Sequence, residues 1–95
     1  MIHRRLTIRS AAADTIRHLP PDIKRSVKAA IQEITANPAC GAPLHGELEG
    51  LWKFRVRRFR LVHKVNRSRK EIELVAVGER RSIYEEVAEL LRQRR

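Results

Sequence analysis

The feature that most constrains the fold is a run of three strand-like segments joined by very short connectors. Apolar residues alternate along 51–57, 59–65 and 71–77, which is the two-residue period of a half-buried strand. The first two segments meet directly at Arg57-Arg58, and a short polar turn joins the second to the third. A parallel connection needs about a dozen residues or more, so links this short predict antiparallel hairpins.

Alternation also predicts which side chains of these strands face the core and which face away from it. On the core side the three segments carry mainly apolar residues. On the other side the first two carry mainly Lys and Arg, and that side is expected to be open to solvent. The expected core side is Trp52, Phe54, Val56, Leu61, His63, Val65, Ile72, Leu74 and Ala76, and the expected open side is Lys53, Arg55, Arg57, Arg60, Val62 and Lys64.

Helical segments flank the strands on both sides. Ser10 is a good N-cap for a helix over 10–19, and apolar residues at spacings of three and four predict a second helix over 22–37. Prolines separate the two helices and follow the second. A short strand is expected at 2–9, a loop at 38–50 and an amphipathic helix over 81–95. The order β-α-α-β-β-β-α predicts an α+β domain, with about four strands and a helical hairpin on one face of the sheet.

Length and composition limit the classes of protein that this chain can belong to. Ninety-five residues are enough for one domain, spanning 1–95. No signal peptide or membrane-spanning run is recognised, and Cys40 is alone, so no disulfide forms within the chain and a cytoplasmic location is expected. The formal net charge is +10, and residues 51–70 hold nine Lys or Arg and no acid. A face this basic predicts a polyanionic partner such as nucleic acid.

The residue types leave few chemistries for a nucleic-acid enzyme. The four histidines are scattered, no carboxylates cluster in the basic region, and no glycine-rich phosphate loop is present, so neither a metal nor another cofactor is expected. RNA carries its own nucleophile in the 2′-OH, which needs only a proton acceptor, cations and a leaving-group donor. Lys53 is a candidate acceptor. Tyr84, the single tyrosine, either contacts the RNA or packs the last helix on the sheet.

Two stretches of the sequence resemble a known family. The segment "LHGELEGLWKFRVRRFRLVHKV" followed by "IELVAVGERRSIY" is similar to the RelE/ParE superfamily of toxins from type II toxin–antitoxin systems. The resemblance extends over nearly the whole chain. RelE-like members cleave messenger RNA in the ribosomal A site without a metal ion, whereas ParE-like members inhibit DNA gyrase.

The resemblance also implies roles for individual residues. The two strand lysines of RelE fall on Lys53 and Arg55, which implies proton abstraction in that region. The same matching implies charge stabilisation by Arg60, leaving-group assistance by Arg80, and orientation or stacking by Tyr84. Arg55 is a departure from the pattern, because arginine stays protonated and is a poor base.

Further contacts and partners complete this set of expectations. Additional RNA-binding residues are expected at Arg57, Arg58, Lys64 and Arg81. The expected partners are the ribosome, messenger RNA and an antitoxin whose acidic segment covers the basic face, and no membrane partner is expected. The leading interpretation is a metal-independent, ribosome-dependent messenger RNA endonuclease that inhibits translation and acts as the toxin of a type II toxin–antitoxin system. The alternatives are a gyrase inhibitor and a non-enzymatic nucleic-acid-binding domain.

Overall fold

The computed structural model describes residues 5–79 and 81–93. It confirms the predicted order of the main elements and adds a very short strand and a 3₁₀ turn within the predicted loop. The helices begin and end within a few residues of the predicted positions. The elements are β1 Arg5–Ile8, α1 Ser10–Arg17, α2 Pro21–Ala36, β2 Ala42–Pro43, a 3₁₀ turn Gly46–Leu48, β3 Leu51–Val56, β4 Phe59–Asn66, β5 Glu71–Gly78 and α3 Ser82–Arg92.

The strands form one five-stranded sheet in the order β1-β5-β4-β3-β2. β1 runs parallel to β5, and the other three pairings are antiparallel, so the prediction of a largely antiparallel sheet is confirmed. Val56 pairs with Phe59 at the end of the β3–β4 hairpin. Its two-residue turn holds Arg57 at a φ of 54°, a left-handed conformation that such tight turns require.

The helices begin and end where proline and backbone geometry allow. Ser10 is the first residue of α1 rather than its N-cap. Arg9 occupies the cap position with an extended backbone, and no side chain in the described part of the chain makes a capping hydrogen bond there. Pro21 opens α2, where its missing N–H costs no helical hydrogen bond. None of the helices in the described part of the chain has the length and hydrophobicity of a membrane span.

Helices cover both faces of the sheet. The hairpin α1–α2 packs on one face over a large apolar cluster that includes Val27, Ile34 and Leu61. α3 packs on the opposite face over a smaller cluster that includes Val62 and Val87. Val62 is 0% exposed, so the prediction that it lies on an open face is wrong, because α3 covers the middle of that face.

An irregularity in the β4–β5 pairing changes which side chains face each cluster. His63 pairs with Leu74 while Val62 pairs with Ala76, so Val75 is an extra residue on β5, as in a β-bulge. Val75 and Ala76 therefore both lie in the α3 cluster, and Val77 returns to the other face. The prediction that Ala76 shares a face with Ile72 and Leu74 is wrong for this reason.

Candidate functional site

A basic cleft of about 610 Å³ opens between the first turn of α3 and the segment that leads into β2. The strands β3 and β4 form its floor near their hairpin. Four of the side chains around it are cationic and one is a tyrosine, and none of its lining residues in the described part of the chain is acidic. The lining residues are Cys40, Gly41, Ala42, Lys53, Phe54, Arg55, Arg60, Arg81 and Tyr84.

Strand alternation and register bring three of these cations together. Lys53 and Arg55 lie two residues apart on β3, and Arg55 is directly opposite Arg60 on β4. Like charges in such a cross-strand pair repel each other. An anion bound in the cleft would relieve this repulsion, since a phosphate accepts charge-assisted hydrogen bonds from several guanidinium groups.

The segment that precedes α3 orients Arg60. Nη1 of Arg60 donates a hydrogen bond to the backbone carbonyl of Glu79 at 2.9 Å. The segment approaches α3 closely, because a Cβ added at Gly78 would lie 2.8 Å from the side chain of Ile83. Glycine at position 78 therefore allows the turn into α3 that brings the Glu79 carbonyl to Arg60.

α3 supplies two further lining residues at its N-terminal end. Arg81 is exposed, immediately before the first residue of the helix. Tyr84 is half-buried, packs against the apolar cluster under α3 and also lines the cleft. The structure therefore confirms that Tyr84 packs the last helix on the sheet, and its place in the cleft lining keeps RNA contact as a prediction.

Three other cations that were expected to bind RNA lie outside the cleft lining. Arg57 forms an ion pair with Asp22 of α2 at 3.3 Å, and Arg58 pairs with the carboxylate of Glu79 at 2.7 Å. Lys64 lies beyond the buried part of β4 and pairs in register with Glu73. Arg80 lies outside the described residues.

One wall of the cleft has no counterpart in the sequence-based predictions. The segment 40–42, in the expected loop, pairs with β3 through Ala42 and Lys53. Gly41 lies directly against that strand, since a Cβ at this position would approach the backbone oxygen of Lys53 to 2.0 Å. The only signal for this wall in the sequence is the glycine itself, which fits a site of close backbone approach.

His63 is the one buried polar residue in the described part of the chain, at 1% exposure. Its Nε2 lies 3.1 Å from the carbonyl oxygen of Pro38. A carbonyl only accepts, so Nε2 carries the hydrogen and Nδ1 is the unprotonated nitrogen. Burial lowers the pKa of His63 below its ordinary value of 6.5, and the bond to Pro38 opposes this shift. The ring is therefore neutral at physiological pH.

The lowered pKa of His63 predicts that acid weakens the fold. Between pH 6.5 and the lowered pKa, the unfolded chain binds a proton that the folded chain does not, so the free energy of unfolding falls as the pH falls, by up to about 1.4 kcal/mol per pH unit. Urea unfolding from pH 7.5 to 5 measures this dependence. His63→Gln, which does not titrate, should show a smaller decline over the same range. Parallel curves for the two proteins would contradict the assignment.

The described residues do not build an evident metal centre. No group of three His, Cys, Asp or Glu side chains among residues 5–79 and 81–93 is arranged to hold a metal ion. What the cleft offers instead is a concentration of N–H donors around a space large enough for a phosphodiester. Such an arrangement can bind an anion and stabilise added negative charge on it.

Comparisons with known proteins agree with this architecture. The isolated Escherichia coli RelE toxin superposes with a TM-score of 0.72 at 22% identity, over 93% of this chain and 98% of that one. A RelE mutant with two arginines changed to alanine, in the free state, gives 0.76 at 21% identity over 98% of both chains. The RelBE2 toxin–antitoxin complex of Mycobacterium tuberculosis gives 0.74 at 23% identity, over 83% of this chain and 100% of that one.

Sequence comparisons identify the family. A search of curated proteins found no match. Residues 6–88 match the model of the ParE-like toxins of type II bacterial toxin–antitoxin systems. That range contains all of the sheet except the first residue of β1, both helices of the hairpin and every residue that lines the cleft. The chain therefore belongs to the ParE-like toxin family of type II toxin–antitoxin systems.

Proposed function

We propose that this protein is a metal-independent messenger RNA endonuclease that acts on the ribosome and thereby inhibits translation. The observation that carries the proposal is the cleft itself. Lys53, Arg55, Arg60, Arg81 and Tyr84 surround one space, and no acidic side chain of the described residues lines it. This set of groups suits a phosphodiester that supplies its own nucleophile.

In the proposed reaction the 2′-oxygen of the RNA attacks the adjacent phosphorus. Lys53 accepts the proton of the 2′-OH, the bond between phosphorus and the 5′-oxygen breaks, and that oxygen takes up a proton and leaves as a 5′-hydroxyl, while the other product carries a 2′,3′-cyclic phosphate. Arg55 and Arg60 stabilise the extra negative charge of the phosphorane. Arg80 keeps the leaving-group role that the resemblance implies, and Tyr84 orients the RNA or stacks on a base.

The proposed partners follow from the charge of the cleft and from the solved relatives. The RelE proteins of Escherichia coli and Mycobacterium tuberculosis have been solved as toxin–antitoxin complexes. For this chain we propose a cognate antitoxin with an acidic segment that covers Lys53, Arg55 and Arg60. Its substrate complex is the translating ribosome with its messenger RNA, which places the protein in the cytoplasm.

Inducing the protein in cells tests the proposal when the ends of cellular transcripts are mapped with and without translation. We expect new ends within coding regions while ribosomes elongate, and their loss when initiation is blocked. The family also contains gyrase inhibitors, and this alternative predicts DNA breaks with intact messenger RNA. That second pattern would overturn the proposed function.

Cleavage is expected to persist when divalent metal ions are removed from the protein. Purified protein is treated with excess chelator and mixed with programmed ribosomes that are kept intact by polyamine. Because Lys53 and the cleft arginines supply the proton acceptor and the positive charge, the rate should change by less than about twofold. Loss of activity that Mg²⁺ restores, with the ribosomes shown to be intact, would contradict the mechanism.

A further inference from the structure

The wall of the cleft opposite α3 is attached to the sheet at two points. At one end, β2 pairs with β3 through Ala42 with Lys53 and through Pro43 with Trp52. At the other end, the carbonyl of Pro38 accepts the hydrogen bond from His63. The wall segment 38–43 is therefore held by a short strand pairing at one end and by the side chain of His63 at the other, and Cys40 between them packs against the apolar cluster under the helical hairpin.

The wall cannot move closer to the strand that it covers. Gly41 already lies so near β3 that even a methyl group in its place would overlap the backbone oxygen of Lys53. Movement is possible only outward, away from Lys53 and from the floor of the cleft. A bond that prevents outward movement therefore also sets the width of the cleft beside the candidate proton acceptor.

The ring of His63 is itself held in place for this bond. It stacks on Trp52, with ring centroids 6.5 Å apart and an interplanar angle of 20°, and Leu74 lies opposite it on β5. Nδ1 has no hydrogen-bond partner among residues 5–79 and 81–93. A buried nitrogen without a partner is costly, so the single bond from Nε2 to Pro38 is the polar contact for which this histidine is placed.

We propose that His63 is a positioning residue that holds the wall 38–43 against β3 and so keeps the cleft closed around Lys53. The position of the wall follows from the hydrogen bond and the close approach of Gly41. Only the effect of the wall position on RNA cleavage rests on the proposed function. A displaced wall leaves the substrate phosphate less well aligned with Lys53, and small misalignments of reacting groups lower rates strongly.

Cys40 provides a direct measure of wall opening that does not depend on catalysis. It is the single cysteine of the chain, lies in the wall and packs against the apolar cluster under the helical hairpin. Burial and the charge of Glu33 raise the pKa of its thiol, so 4,4′-dithiodipyridine, which reacts with thiols in mild acid, is the suitable probe. Cys40 is half-buried and lines the cleft, so it labels at a basal rate with the wall in place, and the increase above that basal rate reports how often the wall leaves the sheet.

The experiment compares two replacements of the histidine. His63→Gln retains an N–H donor near the Nε2 position, whereas His63→Leu removes it at similar volume. We expect the leucine variant to label Cys40 roughly tenfold faster than the unaltered protein, which is the loss expected for one hydrogen bond. The glutamine variant should label within about twofold of the unaltered rate and should cleave RNA faster than the leucine variant.

A core variant separates wall opening from a general loss of stability. Ile16→Val weakens the same apolar cluster from α1, at a distance in sequence from the wall. The two variants are compared under conditions in which their free energies of unfolding are equal. Under these conditions the leucine variant should label Cys40 faster than the Ile16→Val control. If the two label at the same rate, His63 does not hold the wall, whether or not the protein cleaves RNA.

A measurement on the unaltered protein decides the matter if the leucine variant does not fold. The residues placed on the ring, Trp52, Pro38 and Leu74, carry no ionisable group that could neutralise an imidazolium. Protonation keeps the Nε2–H donor but leaves a charge without a partner in a buried site, which is costly, so labelling of Cys40 should speed up as the pH falls below 6.5, relative to a cysteine peptide at the same pH. A constant ratio from pH 7.5 to 5 would overturn the proposal.

Discussion

Replacing Arg60 with alanine is expected to lower the rate of RNA cleavage by about 10²–10³-fold, the usual effect of removing one donor from a preorganised charge-stabilising site. Arg60 is only half-buried and lies at the edge of the cleft, and the carbonyl of Glu79 holds its guanidinium. The substitution removes positive charge where the phosphorane forms. It removes no apolar contact from either cluster, so the fold should persist. Cells that express the variant should grow.

Arg17→Ala is the matched control for this experiment. It also removes one arginine, but Arg17 is exposed on α1 and pairs with Asp14, away from the cleft. We expect the control to cleave RNA at close to the unaltered rate. Circular dichroism and urea unfolding establish that both variants are folded. A folded Arg60→Ala protein that stays fully toxic would show that the site assignment is wrong.

The parts of the fold that depend on connector length and on the spacing of apolar residues were predictable from the sequence. Connector length determined the antiparallel hairpins, and the apolar spacing of α2 determined the helical hairpin. The exception is the central face of the sheet. Val62 was expected to lie in the open, because alternation distinguishes two faces but does not tell whether a distant helix covers one of them. The extra residue Val75 was also invisible to alternation, because a bulge depends on the partner strand.

The candidate site was predictable for the side chains that share one strand face. Lys53, Arg55 and Arg60 follow from alternation and the hairpin register, and the structure brings them together with Tyr84. The wall at Gly41 was not predictable, since a two-residue strand depends on pairing with β3 and has no periodicity of its own. The ion pairs of the hairpin arginines were missed because their acidic partners are far away in sequence.

The mechanism depends most strictly on one group of the substrate, the 2′-OH next to the cleaved phosphodiester. If the neighbouring 2′-OH is the nucleophile, its removal abolishes the reaction rather than slowing it, because no other group of the RNA takes its place. The attacking oxygen is held beside the phosphorus, and such intramolecular attack has an effective concentration on the order of 10⁵–10⁸ M. A water molecule activated by Lys53 is not part of the RNA, so its attack would lack this effective concentration.

A single modified nucleotide in the messenger RNA tests this claim most directly. Ribosomes are programmed with a transcript that carries a 2′-deoxy nucleotide immediately 5′ to the cut, and a control transcript carries it one codon away. The account predicts that both transcripts bind the toxin–ribosome complex, that only the control is cleaved, and that its product ends in a 2′,3′-cyclic phosphate or a 3′-phosphate. Cleavage of the first transcript at a rate comparable to the control would contradict attack by the 2′-OH and the roles proposed for Lys53 and Arg60.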